Sequence, residues 1–183
     1  MNGGRLAGGL LLVMALPPVR LGLESRMSLH MGVELPLLLL VGWLSARNIG
    51  RRWEHAARLD AEGLLSGTIA SCVLAFWMLP AALDLAVIHP VTAWVKYAQW
   101  LVTGYLLRQT WRRASAGVAG FLLLNAAWML ATAGFLYIDA EEQLCVNYLT
   151  DDQKIAGGAL IAWALFLFAI AGARLRDQLG AAE

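Results

Sequence analysis

Charged residues and cysteines are scarce in this chain, and each shortage excludes a class of protein. Only 15% of the 183 residues are charged and 60% are hydrophobic, whereas soluble domains carry about 25% charged residues. This balance excludes an ordinary soluble domain, and the near-equal numbers of basic and acidic residues, 14 and 13, argue against nucleic-acid binding. The two cysteines, Cys72 and Cys145, are too few for a disulfide framework or a four-thiolate zinc site.

The hydrophobic residues form long runs, which is typical of a polytopic membrane protein. Each run is near the length of about 20 residues that crosses a hydrocarbon core. The runs cover residues 6–23, 27–45, 63–83, 91–108, 115–138 and 155–173. The first is the weakest, because Pro17 and Pro18 interrupt it. We interpret it as a proline-kinked helix, with the hydrophobic core of a signal peptide after Arg5 as the alternative. We therefore predict a single all-α membrane domain over residues 1–183, with about six transmembrane helices and no internal repeat.

The placement of arginines predicts the orientation of these spans. Basic residues in short loops stay on the cytoplasmic side of a membrane, and arginines cluster in segments 47–58, 108–113 and 174–176. The other loops are acidic, and the last of them contains Cys145. We therefore expect an inner (plasma) membrane protein with both termini in the cytoplasm, acidic loops on the periplasmic or exterior side, and a Cys145 thiol that is accessible from that side.

Potential metal ligands gather at the exterior ends of the predicted spans. His30, Met31 and Glu34 share one face of the second span, while Asp84 and His89 lie in the next exterior loop. Imidazole, thioether and carboxylate groups together have the composition of a copper site. Each residue also has a simpler interpretation: Met31 as a packing residue, His30 as a hydrogen-bonded interior histidine, and His89 as the start of a helix.

Glu34 and Lys96 are charged residues inside predicted spans. An ionised group in a bilayer is costly unless it is paired or reaches water. At about 1.5 Å per residue, Glu34 lies roughly 10 Å and Lys96 roughly 8 Å from the exterior ends of their spans. The matched depths predict a Glu34–Lys96 ion pair, with metal ligation by Glu34 as the alternative. Pro36 follows Glu34 and should leave the Gly32 carbonyl without its helical donor.

Three segments in this order resemble the CtaG-type cytochrome c oxidase assembly factors, a family of membrane proteins linked to copper delivery. The first begins at His30, the second runs from Trp77 to a His-Pro pair, and the third is an Asp-Gln-x-x-x-Gly signature. The matching positions are His30, Met31, Pro36, Pro80, Asp84, His89, Pro90, Asp152, Gln153 and Gly157. The chain departs from the family pattern at Glu34, Ala93 and Tyr97, where histidines would be expected, and it is shorter than the seven-span members.

The resemblance implies a non-enzymatic accessory protein that binds or relays copper on the exterior side. Such a protein would act during assembly of a membrane metalloenzyme such as a terminal oxidase, with lipid and an oxidase-type subunit as partners. Two alternatives stay open. One is a metal-free structural or interaction subunit in which the Glu34–Lys96 pair replaces the metal. The other is a small transporter or a haem-bearing protein with His30 and His89 as axial ligands. The sequence contains no catalytic motif, so we do not expect an enzyme.

Overall fold

The computed structural model describes residues 3–46 and 60–180, and the regular structure within these ranges is entirely helical. The helices are α1 (Gly3–Ala15), α2 (Pro17–Glu24), α3 (Met27–Ser45), α4 (Leu64–Trp77), α5 (Pro80–Ile88), α6 (Pro90–Arg113), α7 (Ala116–Asp139) and α8 (Thr150–Gly180). The predicted all-α class is confirmed.

Three of these helices, α3, α7 and α8, are long and apolar enough to span a membrane. Two bent pairs, α1 with α2 and α4 with α5, pass the same test as units, which gives up to five candidate spans. The run at 91–108 lies on α6, which is 24 residues long but is not among these candidates. Lys96, Gln99 and several tryptophans and tyrosines lower its hydropathy. The protein therefore has the helices of a membrane-embedded protein, while six spans and cytoplasmic termini stay predictions.

Prolines cause the two sharp bends. The axes of α1 and α2 differ by 75°, and those of α4 and α5 by 76°. Pro17 and Pro80 each begin the second helix of a pair, and the preceding Leu16 and Leu79 are extended. A proline suits the first helical position, because its missing N–H is not needed there, and it disfavours helix in the residue before it. The expected kink in the first run is confirmed, whereas the run at 63–83 forms two helices instead of one.

The first six helices repeat one arrangement, although the sequence predicted no repeat. Each half consists of a helix, a Leu-Pro bend, a short helix and a long helix. The two long helices, α3 and α6, run parallel, and each contributes one glycine to the point where they cross. A Cβ atom on Gly42 would collide with the carbonyl oxygen of Leu101, and one on Gly104 would collide with that of Leu39. Glycine is required at both positions because the two backbones touch there.

The last two helices pack antiparallel and also meet at glycines. A Cβ atom on Gly157 would lie 2.6 Å from the Gly134 carbonyl oxygen, and one on Gly134 would lie 2.7 Å from that of Gly157. The Gly157 position in the Asp-Gln-x-x-x-Gly motif therefore allows α7 and α8 to approach closely. The loop between them, residues 140–149, packs against α5 through Asp84 and against α3 through His30.

Candidate functional site: a buried lysine cluster

The ammonium group of Lys96 is fully buried and is surrounded by hydrogen-bond acceptors. Its Nζ atom lies 2.9 Å from Glu24 Oε1, 3.0 Å from Glu34 Oε2 and 3.0 Å from His30 Nε2. An ammonium group has three donors, so these partners satisfy it completely. The structure thus contains the Glu34–Lys96 pair and adds Glu24 as a second carboxylate. We call Glu24, His30, Glu34 and Lys96 the lysine cluster.

Helix packing explains why Glu34 and Lys96 meet at the same depth. Each residue lies eight positions before the glycine at which its helix crosses the other, Gly42 on α3 and Gly104 on α6. Because α3 and α6 are parallel, equal spacing from the crossing places the two side chains at the same level. Glu24 reaches them from the end of α2, which the bend at Pro17 turns across the bundle.

The part of α3 that carries His30 and Glu34 is a π-helical turn, His30–Glu34. The Leu35 N–H bonds to the His30 carbonyl five residues back, and Pro36 has no N–H to continue the normal ladder. The Gly32 carbonyl, which lacks its helical donor, accepts a hydrogen bond from Trp163 Nε1 at 3.0 Å. The predicted effect of Pro36 is confirmed. Wide turns of this kind are frequent at functional sites.

Both ring nitrogens of His30 are engaged. Nε2 faces the Lys96 ammonium at 3.0 Å, and Nδ1 lies 2.7 Å from the Tyr148 hydroxyl oxygen. An ammonium group can only donate, so Nε2 must accept and Nδ1 must carry the proton that is donated to Tyr148. The ring is therefore neutral in this arrangement. The contact of Nε2 with Glu34 Oε2 at 3.4 Å is then a proximity of two acceptors and not an ion pair.

Charge in the lysine cluster is balanced by Arg20. Its Nε donates to Glu24 Oε2 at 3.2 Å, and the Arg20 side chain is 26% exposed while that of Glu24 is 4% exposed. Two carboxylates therefore face one ammonium and one guanidinium group, and Arg20 is the more exposed partner of Glu24. Buried charges are tolerated only when they are paired and hydrogen-bonded in this way.

Asp84 and His89, which the sequence grouped with His30, have other structural roles. The Asp84 carboxylate accepts hydrogen bonds from the Val146 N–H at 2.9 Å and from Asn147 Nδ2 at 3.1 Å, so it fixes loop 140–149. His89 is exposed and extended at the start of α6, as its simpler interpretation predicted. Met31 is 1% exposed and belongs to the hydrophobic core.

Within residues 3–46 and 60–180, no group of three or more His, Cys, Asp or Glu side chains is arranged to hold a metal ion. The position where Glu24, His30 and Glu34 converge is taken by Lys96 Nζ.

The other residues of the family-like motifs also stabilise the bundle. Asp152 accepts hydrogen bonds from the backbone N–H and hydroxyl of Ser28 and so caps the start of α3. Gln153 accepts from the Leu144 N–H at 2.9 Å and donates to the Tyr137 carbonyl at 3.2 Å, which ties loop 140–149 to α7. Pro80 and Pro90 begin α5 and α6.

Cys145 differs from the sequence-based expectation of an accessible loop thiol. Its side chain is buried, because loop 140–149 closes over it. The two N–H groups of Gln143 Nε2 lie within hydrogen-bond distance of the carbonyl oxygens of Cys145, Val146 and Tyr148. Burial, and secondarily the Asp84 charge, raise the pKa of Cys145 to about 12. Burial and the charges of Glu24 and Glu34 likewise raise the pKa of Tyr148. Both groups are therefore neutral at physiological pH.

Comparison with protein families, curated proteins and solved structures gives no match for this chain. The fold and the site define an all-helical protein of the membrane-embedded type with a buried lysine–carboxylate cluster at one end. The resemblance to CtaG-type factors rests on the motif residues alone.

Proposed function

We propose that this protein is a non-catalytic accessory or interaction subunit of a membrane complex, in which Lys96 replaces a bound metal ion. The observation that carries the proposal is the position of Lys96 Nζ, within 3.1 Å of Glu24, His30 and Glu34. Two carboxylates and one imidazole form a ligand set that suits a divalent metal. A tethered ammonium group supplies positive charge at the same point, so the cluster stays stable without metal.

The lysine cluster supports a structural role because it joins four segments at one end of the bundle. Glu24 belongs to α2, Glu34 to α3 and Lys96 to α6, and His30 holds loop 140–149 through Tyr148. The same end presents apolar side chains outside the candidate spans, with Val146 83% and Leu149 78% exposed. Exposed apolar groups of this kind are typical of a partner surface.

In this proposal the bundle lies in the inner membrane with the lysine cluster toward the exterior. The partner is a membrane protein, such as a subunit of an oxidase-type metalloenzyme, that contacts loop 140–149.

Copper binding or relay is the second candidate function, and it is favoured by the resemblance to CtaG-type factors. His30, Met31, Glu34, Asp84 and His89 would supply the ligands. For His30 to bind copper, the ring would have to release Lys96 or Tyr148, because both nitrogens are engaged. The metal-free function needs no such rearrangement, and we therefore place it first.

Removal of the tethered cation tests the proposal. Lys96→Ala should create a vacant site with three ligands, so the purified variant should bind Co²⁺ with visible d–d bands and should gain thermal stability from Zn²⁺. The wild-type protein should do neither. Glu34→Gln/Lys96→Ala is the matched control, because it lacks one of the three ligands and should lose most of the gained affinity. A wild-type protein that binds Co²⁺ as well as Lys96→Ala does would contradict the proposal.

A further inference from the structure

Arg174, near the end of α8, is a half-buried arginine that no carboxylate neutralises. Its guanidinium carbon lies 4.0 Å from the centre of the Trp111 ring, and its Nη2 donates to the Trp111 carbonyl at 3.3 Å. Within residues 3–46 and 60–180 it forms no ion pair, and Asp177, three residues later, is exposed. A guanidinium group has five N–H donors. Arg174 is therefore a positioned positive charge with donors left for a further acceptor.

The level of Arg174 in the bundle is that of an interface between hydrocarbon and headgroups. Arg174 lies three residues before the end of the α8 candidate span, Thr150–Asp177. The adjacent Leu175 packs beside the start of α7, because a Cβ atom on Gly120 would lie 3.2 Å from Leu175 Cδ2. Helix α7 is also a candidate span. Two candidate spans therefore end beside Arg174, at the level where the phosphate groups of lipids lie.

An apolar groove of about 430 Å³ leads from this end into the bundle, with Trp111 in its wall. Leu167 and Ile170 line the groove from α8. With Arg174 they follow the spacing i, i+3 and i+7, so the three share one face of α8 and Arg174 lies at the end of the groove. Trp43 lines the groove from α3, and its ring centre is 6.1 Å from that of Trp111. Leu167, Ile170 and Trp111 are only half-buried, so the protein's own side chains do not fill the groove.

The surface around Arg174 is positively charged. The described charged residues at this end are Arg108, Arg112, Arg113, Arg174 and Arg176, against Asp60, Glu62 and Asp177. Two of the carboxylates accept hydrogen bonds within the protein, Asp60 from the Leu65 N–H and Glu62 from the Ser115 hydroxyl. A surplus of positive charge attracts anionic groups.

We propose that this groove binds an anionic phospholipid, with the phosphate against the Arg174 guanidinium and one acyl chain along Leu167 and Ile170. Charge complementarity selects this occupant, because a guanidinium group donates two parallel N–H bonds to phosphate oxygens. A zwitterionic lipid would bring a second cation to the same point. Stacking on Trp111 fixes the guanidinium group before the lipid arrives, which lowers the entropy lost on binding. Basic pockets between transmembrane helices bind anionic headgroups in this way.

Thermal unfolding of the purified protein in dodecyl maltoside micelles, measured at increasing mole fractions of dioleoyl phosphatidylglycerol, tests this proposal. Dioleoyl phosphatidylcholine is the reference lipid, because it has the same chains and no net charge. Wild-type protein should gain thermal stability saturably from phosphatidylglycerol and much less from phosphatidylcholine. Arg174→Gln should weaken the apparent affinity for phosphatidylglycerol about tenfold, which corresponds to one charge-assisted hydrogen bond.

Two variants and one anion separate the parts of the site. Arg176→Gln is the matched control, because it removes the same charge from an exposed side chain two residues away; it should change the affinity by less than about twofold. Ile170→Trp keeps Arg174 and should fill the groove, so it should abolish the stabilisation by phosphatidylglycerol. Inorganic phosphate carries the anionic group without an acyl chain and should not stabilise the wild-type protein.

Four results would overturn the proposal. They are equal stabilisation by the two lipids, unchanged phosphatidylglycerol affinity in Arg174→Gln, equal loss in Arg174→Gln and Arg176→Gln, and stabilisation by inorganic phosphate as large as that by phosphatidylglycerol. The third result would identify a diffuse effect of surface charge, and the fourth an anion site that does not use the groove. Trp111 and Lys96 lie near opposite ends of α6, so these results are independent of metal binding by Lys96→Ala.

Discussion

Lys96→Met should be the most destabilising single substitution in the lysine cluster. It leaves the carboxylates of Glu24 and Glu34 buried and facing one another without the ammonium that lies within 3.0 Å of both. Removing one partner of a buried charge pair costs about 3–5 kcal/mol. Glu34→Gln should cost less, because Lys96 keeps Glu24 and His30 as partners.

The double variant Glu34→Gln/Lys96→Met should be more stable than Lys96→Met alone. It retains one buried carboxylate, Glu24, and this carboxylate keeps the Arg20 side chain at 3.2 Å. The coupling energy between the two substitutions should be about 0.5–3 kcal/mol, the range for residues in direct contact. The assay is unfolding in mixed micelles with increasing dodecyl sulfate, followed by far-ultraviolet circular dichroism.

Lys154→Met is the matched control, because Lys154 is exposed near the start of α8; it should change the free energy of unfolding by less than about 0.5 kcal/mol. A coupling energy below about 0.5 kcal/mol between Glu34→Gln and Lys96→Met would mean that the two sites are additive. That result would refute the assignment of Glu34 and Lys96 to one interacting cluster.

Three further predictions concern loop 140–149 and the helix crossing. A membrane-impermeant maleimide should label the buried Cys145 slowly, whereas Val146→Cys in a Cys145→Ala background should react quickly from the exterior side. Labelling of Val146→Cys only after membrane disruption would reverse the proposed topology. The raised pKa of Cys145 contributes stability that is present below pH 9 and is lost as the pH rises toward about 12. Cys145→Ala should flatten this loss when the free energy of unfolding is measured as a function of pH. An unchanged pH profile in the variant would exclude the thiol as the cause of the loss. Gly104→Ala should lower the free energy of unfolding by about 1–3 kcal/mol through overpacking, measured in the same unfolding assay. Gly22→Ala should lower it far less, because Gly22 has open space around it. Equal losses in the two variants would contradict the close crossing of α3 and α6.

Residue patterns alone predicted the helical class and the pairing of Glu34 with Lys96. Both follow from one-dimensional quantities, the length of apolar runs and the depth of a residue within its run. Glu24 was not predicted, because it follows directly on the first run and resembles an exterior loop carboxylate. Arg20 lies four residues before Glu24, and oppositely charged residues at this spacing are neighbours on a helix. This spacing was the available signal that the helix continues to Glu24. The bend that turns this helix toward Lys96 depends on tertiary packing.

The repeated arrangement and the buried loop were also beyond the reach of residue patterns. The two halves share few identical residues apart from a Leu-Pro pair and a glycine in each long helix, so the repeat is visible only in the bends and in the reciprocal crossing of Gly42 and Gly104. Cys145 is buried because Gln143 and Asp84 close the loop through backbone hydrogen bonds. Such contacts join residues whose spacing along the chain carries no pattern.

The copper content of the wild-type protein is the sharpest test of a metal-free lysine cluster. It is measured by elemental analysis after exposure to Cu(I) under reducing conditions and removal of excess metal. We predict no stoichiometric copper, because Lys96 occupies the point where Glu24, His30 and Glu34 converge. Stoichiometric copper that is lost in His30→Ala would contradict the metal-free role of the lysine cluster and make copper binding the function of the site.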